Sequence, residues 1–177
     1  MNDKLSAALS EVETTYGELV EIANGILNPV FTPINEQVDQ LRKNINSLTT
    51  DQLRTGILQM QLRAYEISEL KEKAAMKAEL ADAIQKEKFA INFNGIDGSA
   101  AVKDKLALVA TSAETASEVM YNLLANMLKT KLDQLHRLVD SMKSILMSRM
   151  QETKFMNIGT TSEITPLKQA ADNKEIW

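Results

Sequence analysis

The sequence predicts an all-α protein: a long antiparallel helical hairpin of coiled-coil type, with two shorter N-terminal helices and an extended C-terminal tail. Its composition is typical of helices, because Gly (6) and Pro (3) are scarce and aromatic residues make up 5% of 177 residues. Two long stretches, 49–89 and 100–155, carry apolar residues at alternating steps of three and four. A short turn at 93–99 separates them, so at ~1.5 Å per residue the hairpin would be on the order of 60–80 Å long.

The first arm of the hairpin begins at a capping-box motif. Thr49 is followed three residues later by Gln52, whose side chain can reach back to the cap. Gly56, in the first turns, costs about 1 kcal/mol of helix stability relative to alanine. The residues expected to face the second arm form a continuous seam: Leu53, Ile57, Met60, Ala64, Ile67, Leu70, Ala74, Ala78, Ala81 and Ile84.

The second arm follows a turn in which Gly95 and Gly98 permit positive φ and Ser99 can cap the next helix. Its apolar seam changes register, which resembles a coiled-coil stutter and widens the apolar surface near 120–128, where we expect another helix or subunit to pack. The seam comprises Val102, Leu106, Val109, Ala113, Ala116, Met120, Leu123 and Met127, then Leu124, Leu128, Leu132, Leu135, Val139, Met142 and Leu146. The predicted oligomer contacts are Met120, Leu124, Leu128, Met142 and Trp177.

Residues 1–47 are predicted to form the two shorter helices. The first covers roughly 3–26 and ends where Gly25 and Pro29 interrupt the apolar pattern. Thr32 and Pro33 open the second, since threonine is a good cap and proline suits the first helical position. The apolar stripes are Leu5, Leu9, Val12, Tyr16, Leu19, Ile22 and Ile26 in the first helix, and Ile34, Val38, Leu41 and Ile45 in the second.

Residues 156–177 are predicted to form the extended tail, which completes a division of the chain into 1–47, 48–155 and 156–177. The apolar periodicity stops after Phe155, and the tail ends in the chain's only tryptophan, Trp177. A polar segment of this composition becomes ordered when it docks on something else. We therefore expect the tail to pack on a neighbouring subunit or partner.

The net charge of −4 is unevenly placed, because residues 1–47 are acidic and the far half of the second arm carries more bases than acids. Such a division suits end-to-end pairing of subunits or a polyanion held at one end, with a solvated helix face as the alternative. Acids between the bases make a phosphate-tracking stripe only partial, and Tyr121 and Phe155 are the aromatic candidates for base stacking. The candidate nucleic-acid contacts are Lys129, Lys131, Arg137, Lys143 and Arg149.

Catalytic chemistry has little basis in this sequence. His136 is the only histidine, and with Asp133 it supplies too few groups for a metal site or a catalytic dyad. The lack of cysteine excludes thiolate ligands and disulfides. We expect no enzyme activity, metal or cofactor. With no run approaching ~18 apolar residues and no signal-peptide pattern at residues 1–5, we also expect no membrane contact.

A family resemblance adds a functional hypothesis. Residues 50–155 combine a Lys/Ala-rich first arm (Glu72-Lys-Ala-Ala-Met-Lys-Ala-Glu79), a short glycine-bearing turn, and a second arm that ends in Leu135-His-Arg-Leu-Val-Asp-Ser-Met-Lys-Ser-Ile-Leu-Met-Ser-Arg149. In this layout the chain resembles small helical bacteriophage proteins, particularly the recombination mediators that load a strand-exchange protein onto single-stranded DNA. The resemblance implies an oligomeric, non-enzymatic helical protein that contacts single-stranded DNA through basic residues. The acidic balance, the additional N-terminal helices and the few aromatics depart from that pattern.

Three functional hypotheses follow. The first is a phage-type accessory of DNA recombination or replication that contacts single-stranded DNA and other phage proteins. The second is a virion structural or assembly protein that packs against other structural subunits. Both predict a homo-oligomer in the host cytoplasm or the virion. The third rests on Phe93-Asn-Gly95, which is similar in place to the aromatic-x-Gly turn of secreted WXG-type helical hairpins.

Overall fold

The computed structural model describes residues 2–161, with side chains described at 10 and 13–155. This part of the chain contains four helices: α1 (Asn2–Asn44), α2 (Thr50–Gly95), α3 (Ala100–Ala110) and α4 (Ser112–Thr161). The all-α prediction is confirmed. Because α4 continues to Thr161, residues 156–161 are helical where the sequence predicted a tail. The remainder of that predicted tail, including Trp177, lies outside the described residues.

Residues 2–44 form one helix where the sequence predicted two. Pro29 and Pro33 both lie inside it, although a proline within a helix costs about 3 kcal/mol because it cannot donate the i→i−4 hydrogen bond. Burial of an apolar side chain contributes about 1.5–3 kcal/mol. Several such side chains on one face of α1 are buried, which offsets the two prolines and keeps the helix continuous. The buried residues of that face are Ala23, Leu27, Ile34 and Val38.

Helix α2 begins at the predicted capping box. The backbone N–H of Gln52 donates to Thr49 Oγ1 at 3.2 Å, and the Thr49 N–H donates to Gln52 Oε1 at 2.8 Å. At the other end, Gly95 is the last residue of α2, and Gly98 alone among the described glycines has a positive φ, +143°. Ser99 occupies the N-cap position of α3 as predicted, but its side chain makes no capping hydrogen bond.

A single residue, Thr111, divides the predicted second arm into α3 and α4. Its side chain is fully buried, and its hydroxyl donates to the carbonyls of Ala107 at 3.1 Å and Leu108 at 3.3 Å. Such hydroxyl bonding to the preceding turn bends helices. The hydrogen-bond ladder resumes at once, because the Thr115 N–H donates to the Thr111 carbonyl at 3.2 Å.

The core lies where α1, α2 and α4 pack together. One continuous face of α2 supplies the central side chains, and α4 contacts it along most of its length. Near the start of α2, Gly56 lies against Met142. Further along, Lys77 Nζ lies 5.3 Å from the Tyr121 ring centroid. Near the end of α2, Lys88 pairs with Glu114. The largest fully buried apolar side chains are Ile34, Leu53, Met60, Ile67, Leu135 and Met142.

The first part of the predicted second-arm seam faces away from α2. Val102, Leu106 and Val109 are 47%, 49% and 72% exposed, whereas Ala107 and Thr111 are fully buried. Both sets have helical spacing, so the pattern alone could not choose between the two faces. The structure turns the small residues inward, where they allow close approach to α2, and leaves the large apolar ones outside.

Replacing Gly56 by leucine should lower the free energy of unfolding by about 1–3 kcal/mol, the usual effect of overpacking a filled core. A Cβ at this position would lie 2.6 Å from Met142 Cε and 3.1 Å from Leu41 Cδ2, so a larger side chain must displace both. Chemical denaturation followed by circular dichroism measures the change. Gly17→Leu is the matched control, because no atom lies within 4 Å of a Cβ built there. Equal effects of the two substitutions would contradict the packing around Gly56.

Candidate interaction surfaces

Lys131, one of the predicted nucleic-acid contacts, is buried between α4 and α1. It is 9% exposed; its ammonium group donates to Asn35 Oδ1 and lies 5.6 Å from the centroid of the Phe31 ring. Burial lowers the pKa of Lys131 from its ordinary value of 10.5, and the charge of Arg42 acts in the same direction while that of Asp39 opposes it. The side chain therefore joins two helices and has little surface left for a ligand.

Arg149, a second predicted contact, binds the connection between α1 and α2. Its Nη1 donates to the carbonyl of Leu48, and its Nη2 donates to that of Asn46 at 2.8 Å. A guanidinium can satisfy two such carbonyls at once because its donors form a rigid fork. Arg149 thus holds the start of α2 against α4, and two of its five N–H donors are used within the chain.

The other three predicted contacts, Lys129, Arg137 and Lys143, are exposed on α4. At about 100° per residue, Lys129 and Arg137 lie on the side of the helix opposite its core face, whereas Lys143 lies at the edge of that face, toward α2. Asp133 and Asp140, also exposed, lie between them. This surface therefore alternates in sign and has no continuous positive strip.

A shallow polar groove of about 440 Å³ lies between α2 and α4 and includes Lys143. Its other notable features are His136 and the ring of Tyr65, which is 66% exposed. An exposed ring beside a cation is the combination that accepts a stacked base and a phosphate. Tyr65 was not among the residues predicted from the sequence, although its position off the α2 seam, next to Ala64, was a signal of exposure. We call this surface the polar groove; its lining is Gln61, Ala64, Tyr65, Ser68, Leu132, His136, Val139, Asp140 and Lys143.

The two aromatic residues named from sequence have different surroundings. Tyr121 is half-buried beneath the Lys77 ammonium group, at 5.3 Å from its ring centroid. Phe155 is exposed near the end of the described side chains, about seven turns of helix from Lys129 at 3.6 residues per turn. Neither lies in the polar groove.

An open apolar groove of about 710 Å³ lies between α1, α2 and α4. Leu124 and Leu128 are buried at its base, and Met76 and Leu80 are more than half exposed at its mouth. We call it the apolar groove; its lining is Ile26, Leu27, Val30, Leu70, Lys73, Ala74, Met76, Lys77, Leu80, Tyr121, Leu124 and Leu128.

Large apolar side chains also remain exposed on the outer faces of two helices, and two of them, Met76 and Leu80, also line the mouth of the apolar groove. They follow the face of α2 that points away from its core, and the outward face of α3. Contiguous exposed apolar surface of this kind marks interaction sites. We call the two sets the outer stripes; they are Leu58, Leu62, Tyr65, Met76, Leu80 and Ile91 on α2, and Val102, Leu106 and Val109 on α3.

The oligomer contacts predicted from sequence lie mostly inside the chain. Leu124, Leu128 and Met142 belong to the chain's own core, where α1 and α2 cover them, and Met120 is half-buried against that core. Trp177 lies outside the described residues. The outer stripes instead provide the exposed apolar surface. The residues of the α3 stripe were predicted from the sequence to face the first arm.

No group of three or more His, Asp or Glu side chains among the described residues is placed to hold a metal ion. In the same part of the chain, no helix combines the length and the hydropathy that crossing a membrane requires. Comparison with protein-family models, curated proteins and solved structures gave no match for this chain.

Substituting Lys131 by methionine should change how stability depends on pH. Because burial lowers the folded-state pKa of Lys131, the unfolded chain binds more protons between that pKa and 10.5. Stability contributed by this group therefore rises with pH across that window. Below the window both states are protonated and the folded chain carries the cost of a buried charge.

As the pH increases toward 10.5, we expect the free energy of unfolding of the wild type to rise relative to that of Lys131→Met. At lower pH, the difference between the two free energies should be constant. Urea denaturation at a series of pH values measures it. The control is Lys129→Met, which removes an exposed lysine from the same helix. The same pH response in both variants would show that burial of Lys131 has no effect on its titration.

Proposed function

We propose that this protein is a non-enzymatic helical interaction protein that works by assembling with copies of itself and with other proteins. The observation that carries the proposal is the outward position of Val102, Leu106 and Val109, which are apolar, exposed and helically spaced. The outer stripe of α2 supports it, because that helix then has apolar residues on two opposite faces. One face is covered within the chain, and the other is available to a partner.

The proposed architecture is an antiparallel, coiled-coil-like hairpin of α2 with α3 and α4. The order of contacts supports it: positions 56, 77 and 88 of α2 lie against positions 142, 121 and 114, so the numbers fall on one side as they rise on the other. A hairpin of this kind is narrow. It buries one face of each arm and leaves the other faces for assembly.

The free energies of burial and of association favour contacts made by several side chains together. Complete burial of one large apolar side chain contributes about 1.5–3 kcal/mol, so burial of the exposed half contributes about 1 kcal/mol. Association costs an estimated 4–15 kcal/mol in lost translational and rotational freedom. One stripe residue cannot offset that cost, but both outer stripes acting together can. Assembly should therefore be cooperative across the stripes.

A second candidate is the DNA-recombination accessory that the family resemblance suggests. The polar groove favours it, because Tyr65 offers an exposed ring beside Lys143 and His136. Because Lys131 and Arg149 bind groups within the chain and the exposed charges on α4 alternate in sign, we expect one chain to bind single-stranded DNA weakly. An oligomer could add several such weak sites. This candidate therefore also depends on assembly.

Both candidates fit the phage setting implied by the resemblance, either as an assembly or virion component or as an accessory in the host cytoplasm. In the first, the partners are other structural subunits. In the second, they are single-stranded DNA and the proteins that act on it. The outer stripes are the stronger basis, so assembly is the leading function.

The double substitution Leu106→Gln/Val109→Gln should weaken self-association at least tenfold while leaving the helical content unchanged. Both side chains are about half exposed or more, so glutamine, a good helix former, can replace them without opening the core. Sedimentation equilibrium over a range of concentrations measures the mass. The control is Ser144→Gln, at an exposed polar position on α4. A wild-type chain that is monomeric at every concentration would refute the proposed function.

Removing the ring of Tyr65 tests the second candidate. Stacking of one base contributes about 1–3 kcal/mol, so Tyr65→Leu should weaken binding of fluorescent oligothymidine at least fivefold in low salt. Lys143→Gln should weaken it less and reduce its salt dependence, because one phosphate contact is lost. Lys105→Gln, an exposed cation on α3, is the control. Fluorescence anisotropy reports binding, and a wild-type chain that fails to bind at low salt excludes this candidate.

A further inference from the structure

The apolar groove has the shape and lining that accept an amphipathic helix. Its base is formed by Ala74, Leu124 and Leu128, which are buried, and its mouth opens to solvent between Ile26 and Leu80. From Leu70 to Leu80 it extends about 15 Å along α2 at 1.5 Å per residue. That length accommodates nearly three turns of helix. Helix-in-groove binding uses such a surface, with anchors spaced three and four apart.

The rim of the groove is positively charged. Lys73 and Lys77 line it from α2, and the Lys77 ammonium group is held over the Tyr121 ring, 5.3 Å from its centroid. Neither lysine forms an ion pair with a described side chain. The chemistry that fits the groove is therefore an apolar stripe flanked by carboxylates.

One segment of this chain has that chemistry. Residues 3–22, which we call the acidic arm, carry one lysine against five acids and hold the entire net charge of −4, so the rest of the chain is neutral. Their sequence spaces apolar residues three and four apart, and their backbone is helical within α1. Tyr16 and Ile22 are more than half exposed, and Glu13 and Glu18 are exposed as well. The apolar positions of the arm are Leu5, Leu9, Val12, Tyr16 and Leu19.

The arm cannot fill the groove of its own chain while α1 is one helix. Ile26, Leu27 and Val30 of α1 form a wall of the groove, and residues 2–22 continue that same helix beyond the wall. A helix that lies in the groove must run beside this wall, so it must come from another molecule. Each copy supplies one acidic arm and one groove with a basic rim, which is the self-complementarity that a two-fold dimer requires.

We propose that the acidic arm of one copy docks in the apolar groove of a second copy, and that the exchange is reciprocal. Tyr16 and its apolar neighbours bind the groove, and Glu13, which flanks that stripe at about 100° per residue, faces the lysines of the rim. The proposal rests on the proposed self-association and adds to it a second contact beside that of the outer stripes. This contact uses the apolar groove, including Met76 and Leu80 at its mouth, and leaves the α3 stripe free for the association proposed above.

A cross-linking experiment tests the contact directly, because the chain has no cysteine of its own. Full-length Tyr16→Cys and Leu80→Cys chains are mixed, with one carrying a mass tag, and oxidised mildly. We expect a disulfide-linked heterodimer of about twice the 19.7 kDa chain mass. Leu58→Cys is the matched control: Leu58 and Leu80 are both 59% exposed on α2, but Leu58 lies outside the groove. Equal cross-linking to both positions would overturn the proposal.

Charge reversal supplies a second, independent measurement. Lys73→Glu/Lys77→Glu should raise the dissociation constant of the dimer about tenfold or more, Glu13→Lys should raise it as well, and mixing the two variants should restore association. Sedimentation equilibrium measures both. Self-association that is insensitive to both reversals but lost in Leu106→Gln/Val109→Gln would overturn the arm–groove contact and leave the proposed function standing. A disulfide within one doubly substituted Tyr16→Cys/Leu80→Cys chain, with none between chains, would also overturn the contact and assign the groove to the chain's own arm.

Discussion

Burial of one continuous face of α2 is the constraint on which the rest of the structure depends. From Leu53 to Ala81 this face is covered by α4, and over its first half by α1 as well. The requirement to complete that cover explains why α1 stays helical through Pro29 and Pro33 despite their cost. It also explains the glycine at position 56, where Met142 and Leu41 approach too closely for a side chain. Helix α2 is thus the element that the others are arranged around.

The positions of the helices were largely predictable from the sequence. Whether a helix continues through a proline, and which of its faces is buried, were not. The capping box at Thr49 and Gln52 is a local signal, and the structure contains it as predicted. The prolines of α1 were misleading, because their local preference is outweighed by burial contributed by distant helices. The orientation of Val102 and Val109 could not be read from spacing, since Ala107 and Thr111 offer an alternative face with the same period. Such choices depend on how closely two backbones approach, which periodicity does not encode.

The candidate binding residues were also predictable only in part. Lys129, Arg137 and Lys143 are exposed, as a charged helix face suggests, but the sequence could not separate them from Lys131 and Arg149. Those two bind groups on α1 and on the connection after it, about a hundred residues away in sequence. Tyr65 was missed because its role depends on what α4 places beside it. A long-range partner therefore decides whether a basic or aromatic residue is structural or available.

The distribution of burial along α2 implies that its two halves differ in stability. Where α1 joins α2 and α4, large side chains such as Met60 and Ile67 are fully enclosed, which makes this part the stable foundation of the molecule. Beyond residue 75, the buried residues of α2 and α3 are small, Ala78, Ala81 and Ala107, while Leu106 and Val109 stay outside. A segment with so little enclosed apolar surface opens at low free-energy cost. If a partner covers the outer stripes, as we propose, the ordering of this half and the binding of that partner would be one coupled process.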